Sequence, residues 1–298
     1  AAMSRFVIAA GTGRVGSSVA RTLLTTGNDV AIISRSAERG ASLAASGADV
    51  AEGNLGDAAF LSTALEDGDA LLAVLPEPLD VVDFHGERRR LVDVIATAIA
   101  RSNLAHVVVL SSVGAHIAEK VGPISDLHYF ERAILGTGKP VTVLRGSMFQ
   151  DNVASAVEPA RMTGTYVNLQ PDRDRAIPMV AIRDVAAIAA TLLTQAPGEN
   201  PVVIDVMGPA YSASDVAAQL GRALGRSLQI VDVPPSEHVP LLTRMGLPLP
   251  FAQAIAELQK AIASGWIEPA GDRRETGTTT LEQTLNGILN ATTPVMSG

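Results

Sequence analysis

The sequence contains no cysteine, few aromatic residues and fewer basic than acidic residues. Without cysteine, the protein can form no disulfide bond and offers neither a thiolate nucleophile nor a thiolate ligand for zinc. With 23 basic and 31 acidic residues, the formal net charge is −8. This charge argues against nucleic-acid binding, because a phosphate track needs clustered lysine and arginine. No stretch approaches the roughly 18 apolar residues that cross a bilayer.

Apolar residues are abundant instead, since 47% of the 298 residues are hydrophobic although only 3% are aromatic. This length and composition suffice for one large α/β domain with a smaller lobe. The one basic run, Arg88-Arg89-Arg90, lies in a predicted helix, and we interpret it as a solvated face. No signal-peptide pattern precedes the first predicted strand, so we expect a cytoplasmic protein that binds neither nucleic acid nor a membrane.

Short apolar runs alternate with helical stretches through the first two hundred residues. The runs are apolar on both faces, as the strands of a parallel sheet covered by helices must be. The predicted strands are 5–11, 29–35, 48–53, 69–75, 106–113 and 141–146. Helices are predicted between them, the longer ones over 80–102 and 125–137. This βαβ repetition predicts an α/β fold with a doubly wound parallel (Rossmann) sheet.

The pattern changes after Gly146, where strands over 165–170, 175–180 and 201–207 surround a helix over 182–195. The remainder reads as mostly helical, and the tail as a polar loop followed by one short helix. We therefore predict two units that are each built from separate stretches of chain. The Rossmann domain comprises 1–147 with 177–207 returning to it, and a smaller, mostly helical lobe for substrate or partner comprises 148–176 and 208–298.

The segment GTGRVG, residues 11–16, is a G-x-G-x-x-G motif between a predicted buried strand and a helix. Gly11 allows the tight turn, Gly13 lets the backbone approach a pyrophosphate, and Gly16 allows close packing of helix and strand. The N-terminus of the following helix adds free N–H groups and a partial positive charge. In this context the motif predicts a dinucleotide cofactor.

The end of the second predicted strand distinguishes between the two nicotinamide dinucleotides. An NAD site places an acidic residue there for the ribose 2′-hydroxyl, whereas this sequence has Ser34, Arg35 and Ser36. A guanidinium and two hydroxyls suit a 2′-phosphate. We therefore expect NADP(H) to be preferred over NAD(H), with an ordinary surface arginine as the alternative interpretation of Arg35.

Several segments in the same order resemble one family, the NmrA-like proteins, which are atypical members of the short-chain dehydrogenase/reductase superfamily. The resemblance covers nearly the whole chain. It rests on the glycine loop, SRS at 34–36, EGNLGD at 52–57, LRGSMFQDN at 144–152, AIRDVAAIAATLL at 181–193, the stretch 206–237 and TTTLEQTL at 278–285.

The resemblance implies positions for the parts of the cofactor and substrate. Around the phosphates lie Thr12, Arg14 and Val15, with Leu75 and Pro76 beside the ribose and pyrophosphate. Asn54 and Leu55 line the adenine edge, and Ser111, Ser112 and Val113 lie under the nicotinamide. The implied pocket residues are Leu127, Met148, Phe149 and Asn152, although Met148 and Phe149 could equally be core.

The predicted helix over 125–137 lacks the usual proton donor of the superfamily. A Tyr-x-x-x-Lys pair starting at Tyr129 would need lysine at Ala133. Related reductase branches place lysine or histidine at the position that the resemblance assigns to Leu127. Because Leu127 continues an apolar stripe, the helix reads as core. His128, Tyr129 and the loop residue His116 stay as weak catalytic candidates.

Two functions follow from these residues. The first is an NADPH-dependent oxidoreductase that transfers hydride to a small apolar electrophile such as a quinone or enone. The second is an NADP(H)-binding redox sensor that regulates a protein partner without turnover. The sequence shows no histidine spacing typical of a metal site and no G-x-S-x-G elbow of a hydrolase. Monomer and homodimer both remain open.

Overall fold

The computed structural model describes residues 4–292, and its centre is an eight-stranded, entirely parallel sheet. The strands of the protein are β1 (Arg5–Ile8), β2 (Asp29–Ser34), β3 (Asp49–Glu52), β4 (Ala70–Ala73), β5 (His106–Ser112), β6 (Val141–Gly146), β7 (Met148–Phe149), β8 (Thr165–Asn168), β9 (Ile177–Val180), β10 (Val202–Met207), β11 (Ala210–Tyr211), β12 (Gln229–Asp232) and β13 (Arg273–Thr276). The central sheet has the order β13-β10-β6-β5-β4-β1-β2-β3. This confirms the predicted doubly wound sheet.

Helices cover both faces of the sheet. They are α1 (Arg14–Thr25), α2 (Ala37–Ala45), α3 (Ala58–Leu65), α4 (Phe84–Arg101), α5 (Ile124–Leu135), α6 (Ala154–Thr163), α7 (Ile182–Thr194), α8 (Ala213–Leu224), α9 (Pro235–Arg244), α10 (Leu249–Ser264) and α11 (Leu281–Thr292). Successive side chains of a strand point to opposite faces, so Ile8 packs on the α1–α7 side and Val7 on the α3–α4–α5 side. Two continuous apolar layers result.

Two small sheets lie outside the central one. β7 and β11 both pair with β9, and β8 pairs with β12. The tail read from the sequence as a polar loop also contains a strand, because β13 pairs with β10 and forms an edge of the central sheet. Its four residues are all exposed and polar, so no apolar periodicity marks them. Hydrogen bonding to β10 alone makes them a strand.

The predicted element ends differ from the observed ones by a few residues for local reasons. Asp57 caps α3 by accepting a hydrogen bond from the Phe60 N–H at 3.0 Å. The helix predicted over 80–102 begins only at Phe84, because Asp83 accepts from the Gly86 N–H at 2.9 Å and caps it there. The residues before Asp83 belong to the loop after β4.

The prediction of a solvated face at Arg88-Arg89-Arg90 is wrong for its first residue. Arg88 is only 2% exposed, and its guanidinium lies beside Asp126 of α5. Arg89 and Arg90 are exposed as predicted. Three consecutive helical residues span about 200° of the helix surface, so one of them turns inward.

α10 lies over the loop that joins β5 to α5. Ala115, Val121 and Ile124 pack with Ala261 in a small apolar cluster, and the Gly122 N–H donates to Glu257 at 2.9 Å. Gly122 has a φ of +58°, and a Cβ there would lie 2.2 Å from the Ala254 carbonyl oxygen. A glycine is therefore required for this close approach.

No helix within residues 4–292 is both long and apolar enough to span a bilayer.

Candidate cofactor and substrate site

The glycine loop forms a bare backbone cradle between β1 and α1. A Cβ on Gly11 would lie 2.4 Å from the Ile32 Cβ, and one on Gly16 would lie 2.4 Å from the Ala10 carbonyl oxygen. No side chain can occupy either position without moving the main chain. Gly13 is exposed at the start of α1, where no side chain caps the helix and the first turn holds no acidic residue. The arrangement leaves N–H groups and a partial positive charge facing outward.

The end of β2 lies directly beside this cradle. The Thr12 and Ser34 hydroxyls are 3.4 Å apart, and Ser34 donates a 2.8 Å hydrogen bond to the Ser36 carbonyl oxygen. Ser36 caps α2 and is therefore engaged locally. In the described part of the chain, the exposed Arg35 side chain forms no ion pair. Its guanidinium is the charged group at this strand end that stays available to an anion.

The glycine loop also reaches the segment that follows β6. Arg14 donates to the Asn152 side-chain oxygen at 2.9 Å, although 138 residues separate them in sequence. This bond links a predicted phosphate residue to a predicted pocket residue across the carboxyl edge of the sheet. Val15 is buried beneath the loop and packs in the apolar layer.

The predicted adenine and ribose residues lie at the ends of β3 and β4. The Asn54 side chain is exposed, and its oxygen accepts from the Gly56 N–H at 2.8 Å in a local turn. Leu55 and Leu75 are buried in the apolar layer, and Pro76 is half-buried. The two leucines are thus part of the apolar layer beneath this end of the sheet, whereas solvent reaches Asn54 and Pro76.

The carboxyl ends of β5 and β6 meet at the predicted nicotinamide position. Ser112 pairs with Gly146, and the Val113 N–H donates to the Gly146 carbonyl oxygen at 2.9 Å. Ser147 follows directly, and its hydroxyl oxygen is buried without a hydrogen-bond partner among residues 4–292. A buried hydroxyl without a partner costs stability, so this position is prepared for a polar group from elsewhere.

Ser111 has a structural contact that the sequence did not reveal. Its hydroxyl donates to the Glu131 carboxylate at 2.5 Å, and Arg145 donates to the same carboxylate at 2.9 and 2.6 Å. Burial lowers the pKa of Arg145, but its hydrogen bonds and ion pair with Glu131 outweigh burial and raise this pKa above its ordinary value. We call Ser111, Glu131 and Arg145 the closed cluster, because all three residues are buried.

The apolar members of the predicted pocket, Leu127, Met148 and Phe149, are half-buried, whereas Asn152 is exposed. Met148 and Phe149 form β7, and each packs on one side against an apolar cluster while keeping some exposure. Leu127 lies between the sheet core and the α10 cluster, whereas its stripe partners Phe130 and Ile134 are fully buried. Phe130 and Ile134 of α5 therefore belong to the core, and Leu127 is the apolar residue of this stripe at the surface of the site.

The three weak catalytic candidates lie in different surroundings. The Tyr129 hydroxyl donates to Asp93 of α4 at 2.7 Å, and this bond leads in raising the Tyr129 pKa. His128 Nδ1 is 2.8 Å from the Ala115 carbonyl oxygen, and His116 is exposed in its loop. Tyr129 is thus engaged on the α4 side, and His128 is tied to the β5–α5 loop.

A histidine that the sequence reading passed over has an acidic partner instead. His85 Nδ1 lies 2.7 Å from Asp126 Oδ2, and Asp126 is fully buried. Asp126 also receives a 3.3 Å contact from Arg88, and Arg89 lies 3.6 Å from its other oxygen. We call His85, Arg88, Arg89 and Asp126 the open cluster, because it reaches the surface through His85 and Arg89. Asp126 is 38 and 37 positions away from Arg88 and Arg89 in the sequence, so a local pattern does not reveal their pairing.

Together, the parallel sheet, the glycine cradle and the bare helix N-terminus define a dinucleotide-binding Rossmann protein. The chain belongs to the NmrA-like family, whose model matches residues 3–283. Among residues 4–292, no group of three or more histidine, aspartate or glutamate side chains is placed to hold a metal ion.

Curated relatives include two reductases. The chain is 32% identical over 229 residues to the (4-alkanoyl-5-oxo-2,5-dihydrofuran-3-yl)methyl phosphate reductase of Streptomyces griseus, covering 76% of each protein. It is 27% identical over 253 residues to the NAD(P)H azoreductase of Xenophilus azovorans, covering 85% of each. Among solved structures, the triphenylmethane reductase of Citrobacter sp. complexed with NADP(H) matches with a TM-score of 0.79 at 21% identity, over 95% of this chain and 99% of that one.

Proposed function

We propose that this protein is an NADPH-dependent oxidoreductase that reduces small apolar electrophiles such as quinones and enones. The observation that carries the proposal is the glycine cradle at the α1 N-terminus, with Arg35 beside it at the end of β2, where it forms no ion pair with any of residues 4–292. Such a cradle fits a pyrophosphate, and a free guanidinium fits a 2′-phosphate. An NAD site would have an acidic residue in the place of Arg35.

The residues of the sheet edge fit the rest of the cofactor. Asn54 and Leu55 would hold the adenine side, and Leu75 with Pro76 would lie beside the ribose. The unpartnered Ser147 hydroxyl, next to the paired ends of β5 and β6, would meet the carboxamide. When bound, the reduced nicotinamide supplies a hydride, and the protein orients the acceptor and excludes water. The Arg14–Asn152 bond would hold the glycine loop against the pocket segment.

The substrate class follows from the pocket and is supported by the relatives. Met148, Phe149 and Leu127 are half-buried apolar side chains, which suit a flat apolar acceptor better than a sugar or a peptide. The relatives named above are reductases of an azo compound, an oxo-dihydrofuran and triphenylmethane dyes.

The test begins with binding. We expect NADPH to bind more tightly than NADH, and NADPH and NADP⁺ to bind with similar affinity, which fits a turnover cycle. The purified protein should then consume NADPH faster than the blank with at least one quinone or enone. Tight NADPH binding without turnover on such a panel would contradict the proposal. A tenfold preference for one redox state would then favour the redox-sensor function.

One substitution tests the 2′-phosphate assignment separately. Arg35→Glu should weaken NADPH binding by roughly 1.5–3 kcal/mol, the cost of a lost charged hydrogen bond, and change NADH binding little. Arg21→Glu is the matched control, because Arg21 is exposed on α1 and the charge change is identical. Equal losses for both cofactors in Arg35→Glu, or equal losses in the two variants, would refute the assignment.

A further inference from the structure

The open cluster contains a histidine–carboxylate pair with the geometry of a proton donor. Its short Nδ1 contact with Asp126 fixes one nitrogen of His85. Among residues 4–292, the other nitrogen, Nε2, forms no hydrogen bond, and the His85 side chain is 40% exposed. A carboxylate that accepts from Nδ1 keeps a proton on that nitrogen and fixes the orientation of the ring. In the imidazolium form Nε2 carries the second proton, and this is the proton that can be given to another molecule.

The pair lies on the edge of the sheet where the cofactor site is. His85 is the second residue of α4, which follows β4 and the ribose residues Leu75 and Pro76. Asp126 is in the first turn of α5, which follows β5 and the predicted nicotinamide residues. β4 and β5 are parallel neighbours, so both helices begin at the same carboxyl edge. Ligands of open α/β sheets bind in the crevice outside this edge.

Helix α10 packs against the first residue of α4. The Phe84 ring lies 5.3 Å from the Phe251 ring of α10, and it also meets the His85 ring edge-on at 5.4 Å. Leu249, at the start of α10, is exposed, as are Leu79 and Val82 in the loop before α4. The imidazole therefore lies beside the contact between α4 and α10, with the Phe84 ring against it.

The charges around the imidazole come from three elements. Asp126 belongs to α5, Arg88 and Arg89 belong to α4, and Glu77 of the preceding loop lies close enough to interact with Arg88. α10 contributes the aromatic ring of Phe251. Arg88 also donates to the Pro123 carbonyl oxygen at 2.7 Å, which holds its guanidinium beside Asp126. The carboxylate is thereby shared between a fixed arginine and a histidine that can exchange its proton.

We propose that His85, positioned by Asp126, donates the proton that accompanies hydride transfer to an enone, an assignment that rests on the proposed function. The enone β-carbon accepts a hydride with its electron pair from reduced nicotinamide, and a C–H bond forms there. The C=C π electrons move toward the carbonyl, and the resulting enolate oxygen takes the proton from Nε2 as the N–H bond breaks. The enol then tautomerises to the ketone, and the exposed imidazole recovers a proton from water.

Two acceptors separate proton transfer from hydride transfer. N-ethylmaleimide is a conjugated enone-type acceptor that needs a hydride and a proton, and this chain has no cysteine for it to alkylate. A cationic triarylmethane dye such as malachite green needs only the hydride, because its product is neutral without protonation. The ratio of the maleimide rate to the dye rate therefore reports on the proton donor alone.

His85→Asn is the decisive variant. The asparagine amide can replace Nδ1 as the donor to Asp126, but it has no group at the position of Nε2. We expect the ratio of rates to fall about 100-fold, within the range for a lost general acid. The NADPH dissociation constant should change less than twofold. Wild-type maleimide reduction should be slower in D₂O than in water, and this isotope effect should disappear in the variant.

The outcomes are distinct. A ratio within threefold of wild type in His85→Asn overturns the assignment but leaves the proposed function intact. So does an equal fall in His116→Asn or His128→Asn, which would move the donor elsewhere. Reduction of the dye but not of the maleimide by wild-type protein also overturns it. Reduction of neither, with NADPH bound, overturns the proposed function and this assignment together.

Discussion

Helix α5 carries two buried carboxylates five residues apart, and they have opposite surroundings. Glu131 belongs to the closed cluster, where Arg145 and Ser111 make three hydrogen bonds to it. Asp126 belongs to the open cluster, where a half-exposed histidine provides the shortest contact. Within the described residues, Asp126 Oδ1 and Arg88 Nε have no hydrogen-bond partner. Glu131 is thus fully paired by buried residues, whereas Asp126 is paired with a histidine that can exchange a proton with solvent.

The two arginines report the same difference. The pKa of Arg145 lies above its ordinary value despite burial, because Glu131 compensates for lost water. Burial lowers the pKa of Arg88, and the opposing charges of Asp126 and Glu77 do not cancel this effect. Both guanidiniums stay protonated. Two buried ion pairs on one helix thus have different roles. The closed cluster joins α5 to β5 and β6, and the open cluster orients the His85 imidazole.

The largest expected effect is on the closed cluster. Glu131→Gln keeps the shape of the side chain but places an amide N–H₂ group against the Arg145 donors, so a buried guanidinium loses its counter-charge. We expect the free energy of unfolding to fall by about 3–5 kcal/mol, measured by urea denaturation. A loss below about 1 kcal/mol would mean that water reaches this cluster and that it is not closed.

The isosteric change in the open cluster should cost less. Asp126→Asn removes the same charge, but Arg88 keeps the Pro123 carbonyl oxygen, and solvent reaches the cluster through His85 and Arg89. We expect a loss of roughly 1–3 kcal/mol in the same urea experiment. If Asp126→Asn costs as much as Glu131→Gln, the distinction between the two clusters fails.

A histidine without a carboxylate sharpens the comparison further. His106 is buried, with Nε2 2.9 Å from the Thr142 hydroxyl, and burial lowers its pKa below the ordinary value. The unfolded chain therefore binds more protons than the folded one near pH 6, and stability falls as the pH falls through this range. For one proton the slope is at most about 1.4 kcal/mol per pH unit. Urea denaturation from pH 5 to 8 should show this slope in wild type, and His106→Gln should reduce it.

The smallest effect is expected at the rim of the open cluster. Arg89 lies 3.6 Å from Asp126, but half of its side chain is exposed, so water and salt screen the pair. Arg89→Gln should change the free energy of unfolding by less than about 1 kcal/mol, and added salt should erase the change. A larger loss, or one that persists in salt, would show that Arg89 belongs to the buried part of the cluster.

Local sequence patterns predicted the parallel sheet and the glycine loop because both depend on neighbouring residues. The apolar runs and the spacing of Gly11, Gly13 and Gly16 are visible within a few positions. The pairing of Arg88 with Asp126 is not, because it depends on how α4 and α5 rotate against each other. The sequence pattern therefore predicts a solvated Arg88, and nothing in it singles out His85. Strand β13 was missed for a related reason, since its exposed polar residues carry no strand periodicity.

The position of β13 has a consequence for the order in which the chain assembles. Strands β1 to β6 and β10 all lie within the first 207 residues, whereas their last partner at the sheet edge is Arg273–Thr276. During synthesis, β10 emerges from the ribosome some 70 residues before β13, with an unpaired edge until then. Nascent chains stalled before residue 273 should thus expose a strand edge that a chaperone or another nascent chain can pair with. The central sheet is therefore complete only after residues 273–276 have been synthesised.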